Sequence, residues 1–178
     1  MDLFTAIAKR HSYRGLFSER PVLRMDLQKI VQAGLLAPSA KNAQTTQFVI
    51  IDDPNLVQRI GQMHTMDAMR TAKAFIAAII DEQPEAVCDG NSFQIEDCTA
   101  ALENTFLAVT ALGYATVWLD NWLRTNGRAE TIGSWIRVPP GKIIRVIMPI
   151  GVPAEERQQR EKKPFHERAW FNQYGQNS

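Results

Sequence analysis

The chain predicts an α/β or α+β sandwich built on a sheet of about four or five strands. Three observations lead there. Its 178 residues are 45% hydrophobic, enough for one domain with a sizeable core. Short, continuously apolar runs suited to buried strands alternate with longer stretches of helical period. No internal repeat or low-complexity tract interrupts that alternation.

Residues 2–9 read as a short helix, with Asp2 near its cap and Leu3, Phe4, Ile7 and Ala8 on one face. Asp26 is the expected cap of a second helix, in which Leu27, Ile30, Val31, Leu35 and Leu36 repeat at helical spacing. That helix is expected to stop at Ala37, because Pro38 disfavours a helical residue before it. Residues 47–51 are a strand candidate, and 55–63 a helix. Residues 73–80 have the look of a strand buried on both faces, and 81–93 carry Pro, Gly, Asp and Asn as loops do. Residues 95–112 form the clearest helix, nearly apolar all round from Phe106 to Leu112, which implies burial in a core or an interface. Gly113 ends it, and residues 114–119 follow as a strand, 128–136 as a helix and 142–150 as a last strand. The tail from Glu155 carries charge and aromatic rings but too little apolar area to fold alone. It needs a surface to pack on.

Composition excludes several classes. A net charge of +1 argues against a protein built to bind nucleic acid or an anionic membrane. The longest uncharged run, 105–119, is too short to span a bilayer. The first residues lack the pattern of a secretory signal, so a cytoplasmic protein is expected. Cys88 and Cys98 form neither a disulfide framework nor a CxxC pair, and read as buried or idle thiols. His11, His64 and His166 lie too far apart for a zinc-site spacing, so no metal is expected. Neither GxGxxG, nor a P-loop, nor a GxSxG elbow occurs. An enzyme built this way leaves its chemistry to a cofactor.

Four constellations remain. In an extended segment the period of two sets Arg10, Ser12 and Arg14 on one side, two guanidiniums around a hydroxyl, suited to a phosphate. Residues 37–44 form a narrow loop of Pro and small residues, in which Ser39, Asn42 and Gln44 supply donors and acceptors that could read a flat heterocycle. Residues 117–122, with Trp118 and Trp122, stand at the end of a buried strand, where open sheets bind ligands. Arg160, Lys162 and Lys163 stand in a charged stretch of the tail. Each, taken alone, is equally readable as a solvated turn, an ordinary connection, a core aromatic or a solvated charge run.

Their order is more specific. Arg-His-Ser-x-Arg near residue 10, then LLAPSAKNAQ, ALGYATVWL, MPIGVPAEE and KKPFHERAW, resembles the flavin-dependent nitroreductase family over nearly the whole chain. The resemblance implies an α+β three-layer sandwich with a mixed sheet, one FMN-binding domain over 1–178, and a homodimer in which residues 155–178 wrap the other subunit. It implies that Arg10, His11, Ser12, Lys162 and Lys163 hold the FMN phosphate and that Arg14 lies near the pyrimidine edge. Pro38, Ser39, Ala40 and Asn42 would approach the same flavin from the partner, and Trp118, Leu119 and Asp120 would pass beside its reactive N5.

The implied activity is hydride transfer from NADH or NADPH, through FMN, to a nitroaromatic, quinone or related acceptor. Other readings are a reductive dehalogenase or flavin-degrading enzyme on the same scaffold, and a non-catalytic flavin-binding dimer. Departures from the family pattern are His11 in place of a common arginine, Lys41 in place of a usual glycine, and Thr45-Thr46 in place of an aromatic residue. Residues 64–73 match nothing in the pattern.

Overall fold

The computed structural model describes residues 1–176. Helices α1 (Leu3–Lys9), α2 (Arg24–Leu35), α3 (Pro54–Gly61), α4 (Asp67–Arg70), α5 (Gln94–Ala111) and α6 (Arg128–Trp135) surround strands β1 (Gln47–Ile51), β2 (Ala74–Asp81) and β3 (Lys142–Ile150). The sheet runs β1-β2-β3 with both pairings antiparallel. This is α+β architecture.

The central strand explains the layers. Along β2, Phe75, Ala77 and Ile79 point to one face, where they meet Val57 and Ile60 of α3, Met69 of α4 and Ile132 of α6. Ala74, Ile76, Ala78 and Ile80 point to the other, against Leu27, Ile30 and Val31 of α2 and Leu102, Phe106 and Val109 of α5. Two cores, one on each face, make a three-layer sandwich. They also account for a strand that is apolar throughout rather than alternating. Each fully buried Leu, Ile or Phe contributes about 1.5–3 kcal/mol by leaving water.

The strand count differs from the expected four or five, and the mixed sheet becomes antiparallel. Residues 114–119 do lie along the free edge of β3, but they join it only at isolated bridges, Ala115 to Gly151 and Leu119 to Ile147. Their other edge is taken by the N-terminal segment: Ser12 pairs with Thr116 in the parallel sense, and the Tyr13 N–H donates to the Thr116 carbonyl at 2.8 Å. Two partners sharing so short a stretch leave no regular ladder. That parallel bridge is the part of the mixed pattern that survives.

Helix α2 also departs from its expected cap. It starts at Arg24 with Leu23 in the cap position, because the Asp26 carboxylate is drawn away: Tyr114 Oη donates to it at 2.9 Å and Lys29 pairs with it at 3.3 Å. Its last residue is Leu35 rather than Ala37, with the chain already turning at Leu36. Among the described residues, none covers the apolar face of α1. Leu3 and Phe4 are 60% and 80% exposed, and only Ala6 is buried against the body.

Gly151 fixes how the N-terminal segment meets the sheet. A Cβ there would stand 2.4 Å from Cγ of the Phe17 ring, so only glycine lets that ring lie flat on the end of β3. Phe17 stacks in turn on the fully buried Tyr13. The segment carrying the first motif is therefore rigidly seated.

The segment 64–73, which matched no pattern, contains α4. His64 Nδ1 accepts the Met66 N–H at 2.9 Å, and its ring packs at 5.2 Å from that of Trp122. Burial, with the Arg128 guanidinium nearby, pushes the imidazole below its ordinary 6.5. A neutral ring is thus favoured in the fold, while the unfolded chain binds the proton more readily. The contribution is complete above about pH 6.5 and is lost as pH falls below it toward the lowered folded value. Urea midpoints of the native protein should fall more steeply between about pH 7.5 and 5 than those of His64→Gln. Equal slopes would contradict this role.

Candidate functional site

Arg10 leaves α1 in an extended conformation, φ −60° and ψ 124°. From there side chains alternate: Tyr13, Gly15 and Phe17 are buried, while Arg10, Ser12 and Arg14 turn the other way, with Arg14 fully at the surface. Arg10 lies across α5, its Nε 3.1 Å from Oε1 of Glu103 and its guanidinium 6.0 Å from the centre of the Phe106 ring. Phe106 stacks on Trp118 at 6.1 Å. These contacts join the first motif to the third through one face of α5. Arg14 donates to the Ser12 carbonyl at 3.3 Å, leaving most of its guanidinium free.

A cleft of about 900 Å³ opens between the end of α1, residues 114–116 and the tail. His11 and Lys162 line it, with Lys9, Arg157 and Arg160 adding positive charge and Glu156 and Glu161 negative. The His11 Nδ1–H donates to the Lys9 carbonyl at 2.9 Å, and Nε2 is buried without a partner among the described residues. Thr116 Oγ1 in the same cleft is likewise buried without a partner among them. The Thr116 hydroxyl is a donor beside a cationic rim and suits a phosphate-bearing ligand, whereas His11 Nε2 offers a lone pair as long as Nδ1 holds the ring's one proton. Lys163 stands apart and pairs with Glu167 at 3.6 Å.

The third motif is held by charge. Leu119 is buried and exchanges hydrogen bonds with Ile147, whereas Asp120 is gripped by Arg124 at 2.6 Å and Arg145 at 3.0 Å. Burial works to raise the Asp120 carboxyl, but the two guanidiniums outweigh it and hold the group below the ordinary carboxylate range. Neither arginine carries a motif signal in the sequence. Glu103 and Gln159, whose side chain reaches the Arg10 carbonyl, were equally invisible there.

The second motif lies elsewhere in this chain. Pro38 and Ser39 line a separate cleft of about 520 Å³ between α2, α5 and the start of β1. Ala40 donates its N–H to Asp97, and Asn42 is exposed with φ 56°. Thus the first and third motifs share one surface of the chain, and the loop at 38–42 does not line the cleft at His11. Cys98 is a poor nucleophile here, because burial pushes its thiol up to about 11. Among the described residues no group of three His, Cys, Asp or Glu side chains could hold a metal, and no helix is long and apolar enough to cross a membrane.

The sequence profile of the nitroreductase family matches residues 7–87, which carry the first two motifs and β2. Over those residues the chain is similar to this family. It is 28% identical over 151 residues to a protein of Archaeoglobus fulgidus provisionally named an NADH dehydrogenase/NAD(P)H nitroreductase, covering 85% of each chain. A crystal structure of a protein of the same provisional name from Bacteroides thetaiotaomicron superposes with a TM-score of 0.80 at 23% identity, over 97% of this chain and 98% of that one. A provisionally named nitroreductase from Desulfovibrio desulfuricans, crystallised in complex with FMN, superposes with a TM-score of 0.75 at 25% identity over 94% of each chain. The nitroreductase fold therefore extends beyond the profile match, through α5, β3 and the tail.

Proposed function

We propose that this chain is an FMN-dependent oxidoreductase of the nitroreductase family that takes hydride from NADH or NADPH and delivers it to nitroaromatic, quinone or related acceptors by a ping-pong cycle. The observation that carries this reading is the cleft at His11, where the buried Thr116 hydroxyl lacks a partner among the described residues inside a rim of lysines and arginines, next to the family's N-terminal motif. That hydroxyl and the cationic rim fit a terminal phosphate and so favour FMN.

Bound FMN supplies the two-electron redox chemistry, and the protein supplies its binding, orientation and electrostatics. Arg10, His11, Ser12 and Lys162 are the residues assigned to the phosphate, and Lys163 would join them only by leaving Glu167. Trp118, braced on Phe106, offers a flat wall, and the grip of Arg124 and Arg145 on Asp120 keeps the 118–120 segment from shifting. Arg14, with its guanidinium largely free, is assigned to the pyrimidine edge, where a cation stabilises negative charge on the reduced cofactor. No protein acid or base is assigned to hydride transfer.

The working unit in this reading is a homodimer. The open apolar face of α1 and the exposed tail rings of Phe165, Phe171 and Tyr174 support it. So does the separation of residues 38–42 from the cleft at His11, which a second subunit would complete. The interface should exceed the roughly 2,000 Å² of permanent contacts.

The deciding experiment is the visible spectrum of the purified protein, mass identification of the released flavin, and anaerobic addition of NADH or NADPH. An FMN spectrum that bleaches rapidly is expected. A flavin that stays oxidised indicates a binding protein rather than an enzyme. Initial rates with NAD(P)H and a quinone should give parallel lines, since one pocket serves both substrates in turn; intersecting lines would remove the shared pocket. Arg14→Ala should lower the flavin midpoint potential and slow reduction by NAD(P)H, and an unaltered potential would end that residue's assignment.

A further inference from the structure

The loop between α2 and β1 holds an unusual backbone. Lys41, Asn42 and Gln44 have φ of 48°, 56° and 50°, in the left-handed region that residues with a Cβ occupy only where their surroundings hold them. Inside the loop, Ser39 Oγ accepts the Gln44 N–H at 2.9 Å, and the Asn42 N–H donates to the Ser39 carbonyl at 2.9 Å. These bonds give the loop its shape without tying it to the body. The tie comes from α5: Asp97 Oδ1 accepts the Ala40 N–H at 3.0 Å, across 57 residues of sequence. Among the described residues, no other hydrogen bond joins residues 38–44 to another element.

Asp97 is an expensive residue for such a task. It is 7% exposed, and its Oδ2 is buried without a partner among the described residues. A buried carboxylate with an open oxygen lowers stability relative to a neutral acceptor of the same shape. Strain in the loop and an unsatisfied charge beneath it coincide at one hydrogen bond.

We propose that Asp97 is the positioning residue that locks residues 39–44 into the conformation presented to the flavin. This rests on the reading above, in which Pro38, Ser39, Ala40 and Asn42 approach that group. Asp97 touches no reacting atom; it acts through the Ala40 amide. Asparagine keeps a carbonyl oxygen for that amide and removes the open charge, whereas alanine removes the acceptor.

The test uses the full-length protein, Asp97→Ala and Asp97→Asn. It measures FMN affinity by fluorescence quenching well below the melting temperature, thermal unfolding, and hydrogen exchange at residues 39–44. Asp97→Ala should weaken FMN binding by about tenfold and speed exchange at Ala40. Asp97→Asn should restore both, with a melting temperature no lower than that of the native protein. Rescue of that kind is foreign to a residue that merely packs. Native affinity in Asp97→Ala, or an Asp97→Asn as impaired as the alanine variant, overturns the proposal. If Asp97→Ala does not fold, Asp97→Asn alone decides by the same criterion. Should the native protein bind no FMN, the flavin reading fails, and exchange at Ala40 still reports whether the clamp exists.

Discussion

Truncation after Ala154 should leave a folded monomer that no longer retains FMN. None of the described residues beyond Ala154 is buried, so the two cores on either face of β2 lose no wall. What the truncation does remove is the outer side of the cleft at His11: Arg157, whose guanidinium lies 5.7 Å from the centre of the Tyr13 ring, Gln159 against the Arg10 carbonyl, and Lys162. The same cut removes Phe165, Phe171 and Tyr174, rings that this chain leaves in water and that the proposed dimer would cover. Far-ultraviolet circular dichroism should therefore change little. Light scattering at micromolar concentration should report the monomer mass, and a desalting column should strip the yellow colour. A truncated protein that remains dimeric and fully yellow would show that the tail is dispensable for both.

The second large effect is expected at Arg10. Its guanidinium lies across α5 as the partner of Glu103, one residue before His11 of the cleft. In the proposed reading Arg10→Ala removes a charge-assisted contact to phosphate, about 1.5–3 kcal/mol, and so should weaken FMN binding about tenfold or more. It also frees the Glu103 carboxylate near an anionic ligand. The double variant Arg10→Ala with Glu103→Gln should therefore recover part of the lost affinity. Titration of apoprotein with FMN, followed by quenching of flavin fluorescence, measures each step. If Arg10→Ala binds FMN as the native protein does, the phosphate assignment is wrong.

Much of the fold could be read along the chain. The apolar runs at 47–51 and 142–150 match β1 and β3, and the long amphipathic stretch matches α5 to within a residue at each end. The misreadings share a cause. Asp26 looks like a cap because Ser, Thr, Asp and Asn favour that position, yet its carboxylate has better partners in Tyr114 and Lys29. Residues 114–119 look like a strand because strand propensity reports a pleated, half-buried surface, and these residues occupy one without earning a full ladder. The face of α1 is as apolar as its spacing promised, but none of the described residues covers it.

The sequence by itself determined the alternation of elements, the two-faced burial of β2 and the order of motifs that points to the nitroreductase family. All of these are encoded in residues a few positions apart, through helical and strand periods and the chemistry of turns. Only the tertiary structure decided that Arg10 leans on Glu103, that Asp120 is shared by Arg124 and Arg145, and that Asp97 carries the Ala40 amide. Most of these contacts join charged or polar groups dozens of residues apart. A single charged side chain has no period and makes the same mark in a sequence whether it is solvated or paired. Its partner is set by where the packed cores bring the backbone, and that is known only once the chain has folded.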